Sequence, residues 1–300
     1  MKNLKAWLDA FRLRTLPLAL GGIILGSFLS ASANAHNWSI TFMSVLTATL
    51  LQVLSNLAND YGDFTKGTDN DARVGPKRAL QSGIIKQSQM KRALYLFSLL
   101  CLISGIILLW ISFGTDKLIY ALIFLVIGLL AIWAAIKYTV GKSAYGYQGL
   151  GDIFVFLFFG WVSVVGVYFL QVQTIDIEMF LPASAIGLLS AGVLNLNNTR
   201  DILNDKTSNK ITLAVRLGYE NAKKYQVFLL VFALVNAEIF CLTSSQNIIS
   251  HLYLISVIPL FMVINKTRRA DDPKELDPLL KIQALSTLLF AITFGLGQII

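Results

Sequence analysis

The feature that most restricts the fold of this chain is a series of apolar blocks, each long enough to cross a bilayer as a helix. An α-helix rises about 1.5 Å per residue, so about 20 residues cross the hydrocarbon layer. With 55% hydrophobic and 14% charged residues, the composition also lies outside the range of soluble domains. Blocks of sufficient length occur at about residues 16–32, 39–58, 93–113, 118–136, 153–171, 179–197, 225–243, 249–265 and 281–299.

These blocks predict an all-α integral membrane protein in which residues 1–300 form one bundle of nine transmembrane helices. A transmembrane β-barrel would need alternating segments of about ten residues, and the uninterrupted apolar runs argue against it. In residues 1–15, Leu4, Trp7, Leu8 and Phe11 recur at helical spacing among basic residues, which predicts a short helix on the membrane surface. We do not expect a cleavable signal peptide, because the apolar block that follows is of full length.

The distribution of positive charge predicts the topology. The net charge is +8, and every Lys and Arg except Lys117 falls in segments that lie on one side if the N-terminus is cytoplasmic. By the positive-inside rule, the N-terminus is then cytoplasmic and the C-terminus is outside. This segregation makes a membrane surface, rather than nucleic acid, the expected partner of the basic residues.

A polar run from Asn56 to Asp71 ends the second apolar block. If the helix continues into this run, Asn56, Asn59, Asp60 and Asp63 share one face. Clustered carboxylates repel one another unless a cation lies among them, and a few oxygen ligands completed by substrate phosphate suit Mg²⁺. We expect Gly67 to turn the chain so that Asp69 returns towards the same ion.

A second run, from Asn195 to Asp205, repeats this pattern at the end of the sixth block. Asp201 and Asp205 are four residues apart and Asn198 lies one turn before Asp201, so a helix would again place the oxygens on one face. Each run alone could be a solvated, capped helix end. Two such runs at membrane-helix ends favour a diphosphate held between Mg²⁺ ions, because polar groups there are costly unless they are used.

Two cytoplasmic loops add further candidates. The loop after the first run contains Arg73, Lys77 and Arg78, which could neutralise a diphosphate or simply attract anionic lipid. The loop between the fourth and fifth blocks contains Tyr138, Lys142 and Asp152. An aromatic belt would explain the tyrosine alone, but Asp152 opens an otherwise uncharged span, which favours a functional role.

The chain resembles the UbiA-type membrane prenyltransferase superfamily over nearly its whole length. The resemblance rests on Asn59-Asp60 with Asp63 and Asp69, on Asp201 with Asp205, and on Tyr138 with Lys142, all in the expected order. Within that superfamily, residues 14–17, 56–61, 67–69, 149–152 and 197–201 are similar to the 1,4-dihydroxy-2-naphthoate prenyltransferases of menaquinone synthesis. Position 152 departs from that pattern, in which Glu is more frequent.

The resemblance implies nine helices around a central cavity in the cell inner membrane, with the site on the cytoplasmic side. It implies transfer of a polyprenyl group from polyprenyl diphosphate to an aromatic acid, with loss of CO₂ and diphosphate, giving demethylmenaquinone. The expected Mg²⁺ ligands are Asp60, Asp63, Asp69, Asp201 and Asp205. The expected diphosphate or substrate contacts are Asn56, Asn59, Arg73, Lys77, Arg78, Asn198 and Arg200, and the expected catalytic residues are Asp152, Tyr138 and Lys142.

Two alternatives stay open at this point. A prenyltransferase for another aromatic acceptor, such as 4-hydroxybenzoate, would carry the same acidic runs. A secondary transporter would also have many spans, but its polar residues should lie near mid-membrane on broken helices, whereas these lie at one face.

Overall fold

The computed structural model describes residues 2–70, 74–75, 78–244 and 247–300. Every regular element in these ranges is helical, and nine of the helices are long and apolar enough to span a membrane. The predicted all-α, nine-span class is therefore confirmed. The nine spans, numbered in chain order, are Leu16–Ser32, Trp38–Thr65, Gln87–Phe113, Leu118–Lys137, Gly151–Val172, Phe180–Arg200, Tyr219–Ser244, Ile248–Arg269 and Asp277–Ile299.

The short helices lie at the ends of the spans. Helix Lys2–Phe11 precedes the first span, and helices Ile202–Thr207 and Leu213–Leu217 follow the sixth. Trp7 and Phe11 pack against buried residues of the second and third spans, whereas Leu4 and Leu8 are exposed. An amphipathic helix with this division is suited to lie at the membrane surface, as the sequence predicts.

Several spans begin earlier than their apolar blocks. The third span starts at Gln87 and the seventh at Tyr219, each six residues before the predicted start. Polar residues form these extra turns, because a helix satisfies its own backbone hydrogen bonds and can continue beyond the hydrocarbon layer. Hydropathy therefore located the spans but underestimated their lengths.

The fourth span is packed differently from its neighbours. Ala134 is the one buried residue of Leu118–Lys137, a range that the structure describes in full. The span is attached near its two ends: the Ala134 carbonyl accepts a hydrogen bond from Tyr145 Oη at 2.9 Å, and Phe124 stacks on Phe169 with ring centroids 5.4 Å apart. Between these attachments its inner face borders a large cavity.

Glu238, the acid within the seventh span, joins that span to the eighth. Tyr253 Oη donates a hydrogen bond to Glu238 Oε2 at 2.5 Å, and His251 Nε2 lies 3.3 Å from Glu238 Oε1. Through these contacts Glu238 pairs the seventh span with the eighth.

The first and fifth spans approach each other closely at Gly26. A Cβ atom added there would lie 2.6 Å from the Val164 carbonyl oxygen, whereas a Cβ added at Gly105 in the third span would meet open space. Gly26→Ala should therefore lower the thermal unfolding midpoint in detergent, because overpacking costs about 1–3 kcal/mol. Gly105→Ala is the matched control, and it should leave the midpoint unchanged or raise it. Equal midpoints for the two variants would contradict this account of the packing.

Candidate functional site

A cavity of about 1240 Å³ opens within the bundle. Most of its walls are apolar and come from the first six spans, but Asn59, Asp60, Asp63, Arg200 and Lys210 line one end. Ser44 and Asp63 both border the cavity from the second span, and their separation of 19 positions corresponds to about 28 Å of helix. The cavity is therefore long, apolar over most of its length and polar at the cytoplasmic end predicted from charge.

Lys210 joins the two acidic runs at this polar end. Its Nζ lies 3.8 Å from Asp63 Oδ2 in the first run and 3.8 Å from Asp205 Oδ1 in the second. The residue is only 8% exposed. Burial acts to lower the pKa of the Lys210 ammonium, but the charges of Asp63 and Asp205 outweigh it and raise the pKa above its ordinary value. The expected meeting of the two runs thus occurs around a buried lysine.

Tyr147 completes the contacts of Asp63. Its Oη donates to Asp63 Oδ1 at 2.8 Å and lies 2.6 Å from Thr68 Oγ1, and Lys66 Nζ lies 3.7 Å from its ring centroid. Burial and the charge of Asp63 raise the pKa of Tyr147, so it stays protonated and able to donate. Sequence reasoning missed both Tyr147 and Lys210, whose residue types are common in cytoplasmic loops.

Asp60 and Asp69 occupy the other side of the first run. The amide of Ala79 donates to Asp60 Oδ2 at 3.2 Å, and Arg78 Nε lies 3.5 Å from Asp69 Oδ1. Gly67 has a φ of 72°, and the Thr68 amide returns to the Asp63 carbonyl at 3.0 Å. Gly67 therefore turns the chain back as predicted, and Asp69 comes close to its own run.

Asp201 is arranged differently from the prediction. The sixth span ends at Arg200 and a separate helix starts at Ile202, so Asp201 and Asp205 do not share one continuous helix. Arg200 Nε lies 3.0 Å from Asp201 Oδ1, and Arg200 Nη1 lies 2.6 Å from Asp277 Oδ1 in the ninth span. Because the guanidinium is engaged by these two carboxylates, its position does not support the predicted diphosphate contact of Arg200.

Asn56 borders the cavity and holds a turn of the chain together. Its Nδ2 donates to the Phe11 carbonyl and to Thr15 Oγ1, both at 2.9 Å. Gln52 Nε2 donates to Thr15 Oγ1 at 3.1 Å and to Asn56 Oδ1 at 3.4 Å. Asn56 therefore has a structural contact, and its predicted diphosphate contact stays a prediction.

Tyr138 and Asp152 come together, whereas Lys142 does not join them. The Tyr138 side chain borders the cavity, and Cβ atoms added at Gly146 and Gly151 would lie 2.8 and 3.0 Å from its Cε2. Burial and the charge of Asp152 raise the pKa of Tyr138. Asp152 is buried beside the cavity rather than in its lining, and Lys142 is exposed and does not border it.

Of the other predicted substrate contacts, two lie among the described residues and two do not. Asn59 lines the cavity, and Asn198 is buried within the second run. Arg73 and Lys77 lie outside the described residues.

The carboxylate and amide oxygens at the polar end are of the type that binds a divalent cation. They do not form a complete coordination shell. In the described part of the chain, no group of three His, Cys, Asp or Glu side chains converges closely enough to hold a metal. Within the same ranges, Asp60 Oδ1, Asn198 Oδ1 and Asn204 Oδ1 are buried without a hydrogen-bond partner. Buried, unsatisfied carboxylate and amide oxygens are hard ligands of the kind that Mg²⁺ prefers.

Comparisons with known proteins all find similarity to membrane prenyltransferases. The family model described as the UbiA prenyltransferase family matches residues 19–289. The chain is 43% identical over 293 residues to the 1,4-dihydroxy-2-naphthoate octaprenyltransferase of Escherichia coli (strain K12), covering 98% of this chain and 94% of that protein. It is 40% identical over 301 residues to the protein of the same description from Haemophilus influenzae, covering 100% and 97%.

A solved structure shows the same architecture. The UbiA homologue from Archaeoglobus fulgidus bound to GPP and Mg²⁺ aligns with a TM-score of 0.67 at 15% identity, covering 96% of this chain and 99% of that chain. At this identity, the likeness concerns the fold.

The buried lysine gives a test that does not need an activity assay. Lys210→Met should lower the thermal unfolding midpoint in metal-free detergent, because removing one partner of a buried ion pair costs about 3–5 kcal/mol. Added Mg²⁺ should raise the midpoint of this variant more than that of the wild type, since the cation replaces the lost positive charge. Lys206→Met is the matched control, because Lys206 is exposed and loses the same charge. A Lys210→Met midpoint equal to that of Lys206→Met would show that Lys210 does not join the two runs.

Proposed function

The chain belongs to the UbiA prenyltransferase family, and on that premise we propose that it transfers a polyprenyl group to 1,4-dihydroxy-2-naphthoate. Loss of CO₂ and diphosphate would give the reduced, quinol form of demethylmenaquinone, because the exchange of CO₂ for the prenyl group involves no oxidant. The observation that carries this proposal is the long apolar cavity that ends at two acidic runs. The description of the 43% identical relative, which covers nearly the whole chain, supports the choice of acceptor. Family membership confirms the resemblance seen in the sequence.

The shape of the cavity suits polyprenyl diphosphate. Its volume of about 1240 Å³ exceeds the roughly 300–1,000 Å³ of sites for drug-sized ligands. The apolar length accommodates a hydrocarbon chain, and the polar end accommodates the diphosphate. In this arrangement the allylic carbon lies beneath Asp63, where apolar walls exclude water from the carbocation.

We propose that Mg²⁺ is held by Asp60, Asp63, Asp69, Asp201 and Asp205, with Asn59 and Asn198 nearby. The structure of a UbiA homologue bound to GPP and Mg²⁺ supports this choice of metal. When bound, the metal neutralises the negative charge that develops on the leaving diphosphate. Because Arg200 engages Asp201, a contribution from Asp201 to metal binding requires that this pair rearrange.

The positive residues at the polar end would bind the diphosphate. Lys210 and Arg78 both line the cavity, and each already contacts an aspartate of the acidic runs. Arg suits bidentate contacts with phosphate, whereas Lys contributes a compact charge. Arg73, Lys77 and Lys142 stay candidates from the sequence, although Lys142 would have to move towards the cavity.

Tyr138 and Asp152 are our candidates for the acceptor side of the reaction. Attack by the ring on the allylic carbon is faster if a ring hydroxyl gives up its proton as the new bond forms. The Tyr138 side chain borders the cavity with Asp152 behind it, so the pair can orient the acceptor and receive that proton. Loss of CO₂ from the attacked carbon then restores aromaticity.

Two other functions fit the structure less well. An acceptor of the 4-hydroxybenzoate type would use the same diphosphate site, and the descriptions of the relatives favour the naphthoate. A secondary transporter should carry its polar site near the membrane midplane on broken helices. Here the charged residues gather at one end of the cavity.

The protein is a multi-pass membrane protein, and we propose the finer localisation from charge. The basic segments place the N-terminus and the diphosphate site at the cytoplasmic face of the inner membrane, with the C-terminus outside. We also propose that residues 1–300 form a single domain, because the cavity draws its walls from the first six spans and from the ninth.

The direct test uses purified protein, a labelled polyprenyl diphosphate and Mg²⁺. We expect turnover of 1,4-dihydroxy-2-naphthoate to exceed that of 4-hydroxybenzoate and to stop when EDTA removes the metal. Asp63→Asn should reduce the rate about a thousandfold, since losing one metal-bound carboxylate costs several kcal/mol of transition-state stabilisation. Asp116→Asn, at an exposed position remote from the cavity, is the matched control. Preference for 4-hydroxybenzoate would overturn the proposed acceptor.

Asp152 provides a test of the acceptor side. Asp152→Asn removes the proton acceptor but keeps the shape of the side chain, so turnover of the naphthoate should fall about a hundredfold. The affinity for polyprenyl diphosphate, measured separately in the same variant, should change little. A parallel loss of diphosphate affinity and turnover would assign Asp152 to the diphosphate site or to folding.

A further inference from the structure

The hydroxyl of Tyr147 lies between the first acidic run and a threonine of the turn that follows it. Tyr147 Oη lies 2.8 Å from Asp63 Oδ1 and 2.6 Å from Thr68 Oγ1. Asp63 and Thr68 are both buried. Asp63 borders the cavity, whereas Tyr147 does not. Tyr147 can therefore influence the polar end of the cavity through the groups that it contacts.

The chemistry of the two partners fixes the direction of these hydrogen bonds. A phenol has one proton to donate, and an ionised carboxylate can only accept. The Tyr147 proton is therefore directed to Asp63 Oδ1, and the Thr68 hydroxyl must donate to Tyr147 Oη. The three groups form a hydrogen-bond chain in which Thr68 orients the Tyr147 hydroxyl and Tyr147 orients the Asp63 carboxylate.

This hydrogen-bond chain decides how Asp63 presents its two oxygens. Oδ1 is occupied by the Tyr147 hydroxyl, and Oδ2 lies 3.8 Å from Lys210 Nζ. At that distance the ammonium compensates the negative charge without forming a hydrogen bond of ordinary length. Oδ2 is therefore the oxygen of Asp63 that stays available to a cation. Without the Tyr147 hydroxyl, the carboxylate could rotate and bring either oxygen to Lys210, which would compete with a metal for Asp63.

Tyr147 is itself held by the segment that follows the second acidic run. It belongs to the short helical turn Tyr145–Gln148 between the fourth and fifth spans, and its carbonyl accepts a hydrogen bond from the Ile211 amide at 3.2 Å. Its ring lies 3.7 Å from Lys66 Nζ and 5.5 Å from Lys210 Nζ, measured to the ring centroid, where the aromatic face attracts the cations. Tyr147 thus contacts the first run through its hydroxyl and the segment after the second run through its backbone.

We propose that Tyr147 is a positioning residue for the proposed Mg²⁺ site, because its hydroxyl, oriented by Thr68, holds Asp63 so that Oδ2 stays available to the cation. The inference rests on the proposed function, in which Asp63 is a metal ligand, and it adds a residue that acts through that ligand. Losing an outer group that hydrogen-bonds to a metal ligand typically costs 10–100-fold in metal affinity or activity. Tyr147→Phe keeps the ring beside the two lysines and removes only the hydroxyl.

The experiment measures metal binding without turnover, in full-length protein in detergent. Mn²⁺ is the probe, because the oxygen ligands that suit Mg²⁺ also suit Mn²⁺, and the free ion is detected by electron paramagnetic resonance. We expect Tyr147→Phe to weaken Mn²⁺ binding about tenfold or more relative to the wild type. In the transfer assay, the Mg²⁺ concentration that gives half the maximal rate should rise by a similar factor, while the KM of the aromatic acceptor stays unchanged.

Tyr168→Phe is the matched control. Tyr168 Oη donates to Asp176 Oδ2 just beyond the C-terminal end of the fifth span, so this variant loses the same kind of hydrogen bond. Neither Tyr168 nor Asp176 borders the cavity. We expect Tyr168→Phe to bind Mn²⁺ as tightly as the wild type. Equal weakening in Tyr168→Phe and Tyr147→Phe would show that the loss of a tyrosine hydroxyl acts through the stability of the bundle, and the proposal would fail.

Thr68 tests the hydrogen-bond chain from its other end. Thr68→Val removes the donor to Tyr147, so Mn²⁺ affinity should fall about threefold or more. Thr68→Ser keeps the hydroxyl and should retain the affinity of the wild type. If the Val and Ser variants lose the same affinity, or if neither loses any, the Thr68 hydroxyl does not orient Tyr147 and the proposed chain is wrong.

Two further outcomes separate this inference from the proposed function. If the wild type binds Mn²⁺ and transfers the prenyl group, and Tyr147→Phe binds Mn²⁺ equally well, the role of Tyr147 is overturned while the proposed function stands. If the wild type binds neither Mn²⁺ nor Mg²⁺, the proposed metal site itself is wrong, and the role of Tyr147 is overturned with it.

Discussion

The arrangement of the polar end depends on the cost of placing charge beside a membrane. Asp63 and Asp205 lie in an environment where an unpaired carboxylate is expensive, and the ammonium of Lys210 between them reduces that cost. The same contact ties the end of the second span to the segment after the sixth. Charge compensation therefore stabilises the meeting of these two segments at the polar end of the cavity.

The fourth span forms one wall of the cavity, and it is attached to its neighbours mainly near its two ends. The fourth span contacts its neighbours through Ala134 near its C-terminal end and through Phe124 in the aromatic cluster near its N-terminal end. Its middle contributes apolar residues to the cavity wall rather than to a packed core. A bundle built this way retains an apolar space for a hydrocarbon chain without losing its helical frame.

Polar residues of one motif have different contacts in the structure. Asp60 and Asp63 face the polar end of the cavity, whereas Asn56, one turn away, satisfies the carbonyl of Phe11 and holds the turn before the first span. Arg200 likewise joins the sixth span to Asp277 of the ninth. Residues of one motif can thus also fix the helices against one another, and helical spacing alone does not reveal which of them do so.

The sequence by itself determined the class, the number of spans and the two acidic runs. These properties depend on hydropathy, charge distribution and the spacing of residues, each of which can be read over short stretches of the chain. Tertiary structure alone decided that Lys210 bridges the runs and that Tyr147 contacts Asp63. Each of these depends on residues far apart in sequence, such as Asp63 and Lys210, whose contact arises only when the helices pack.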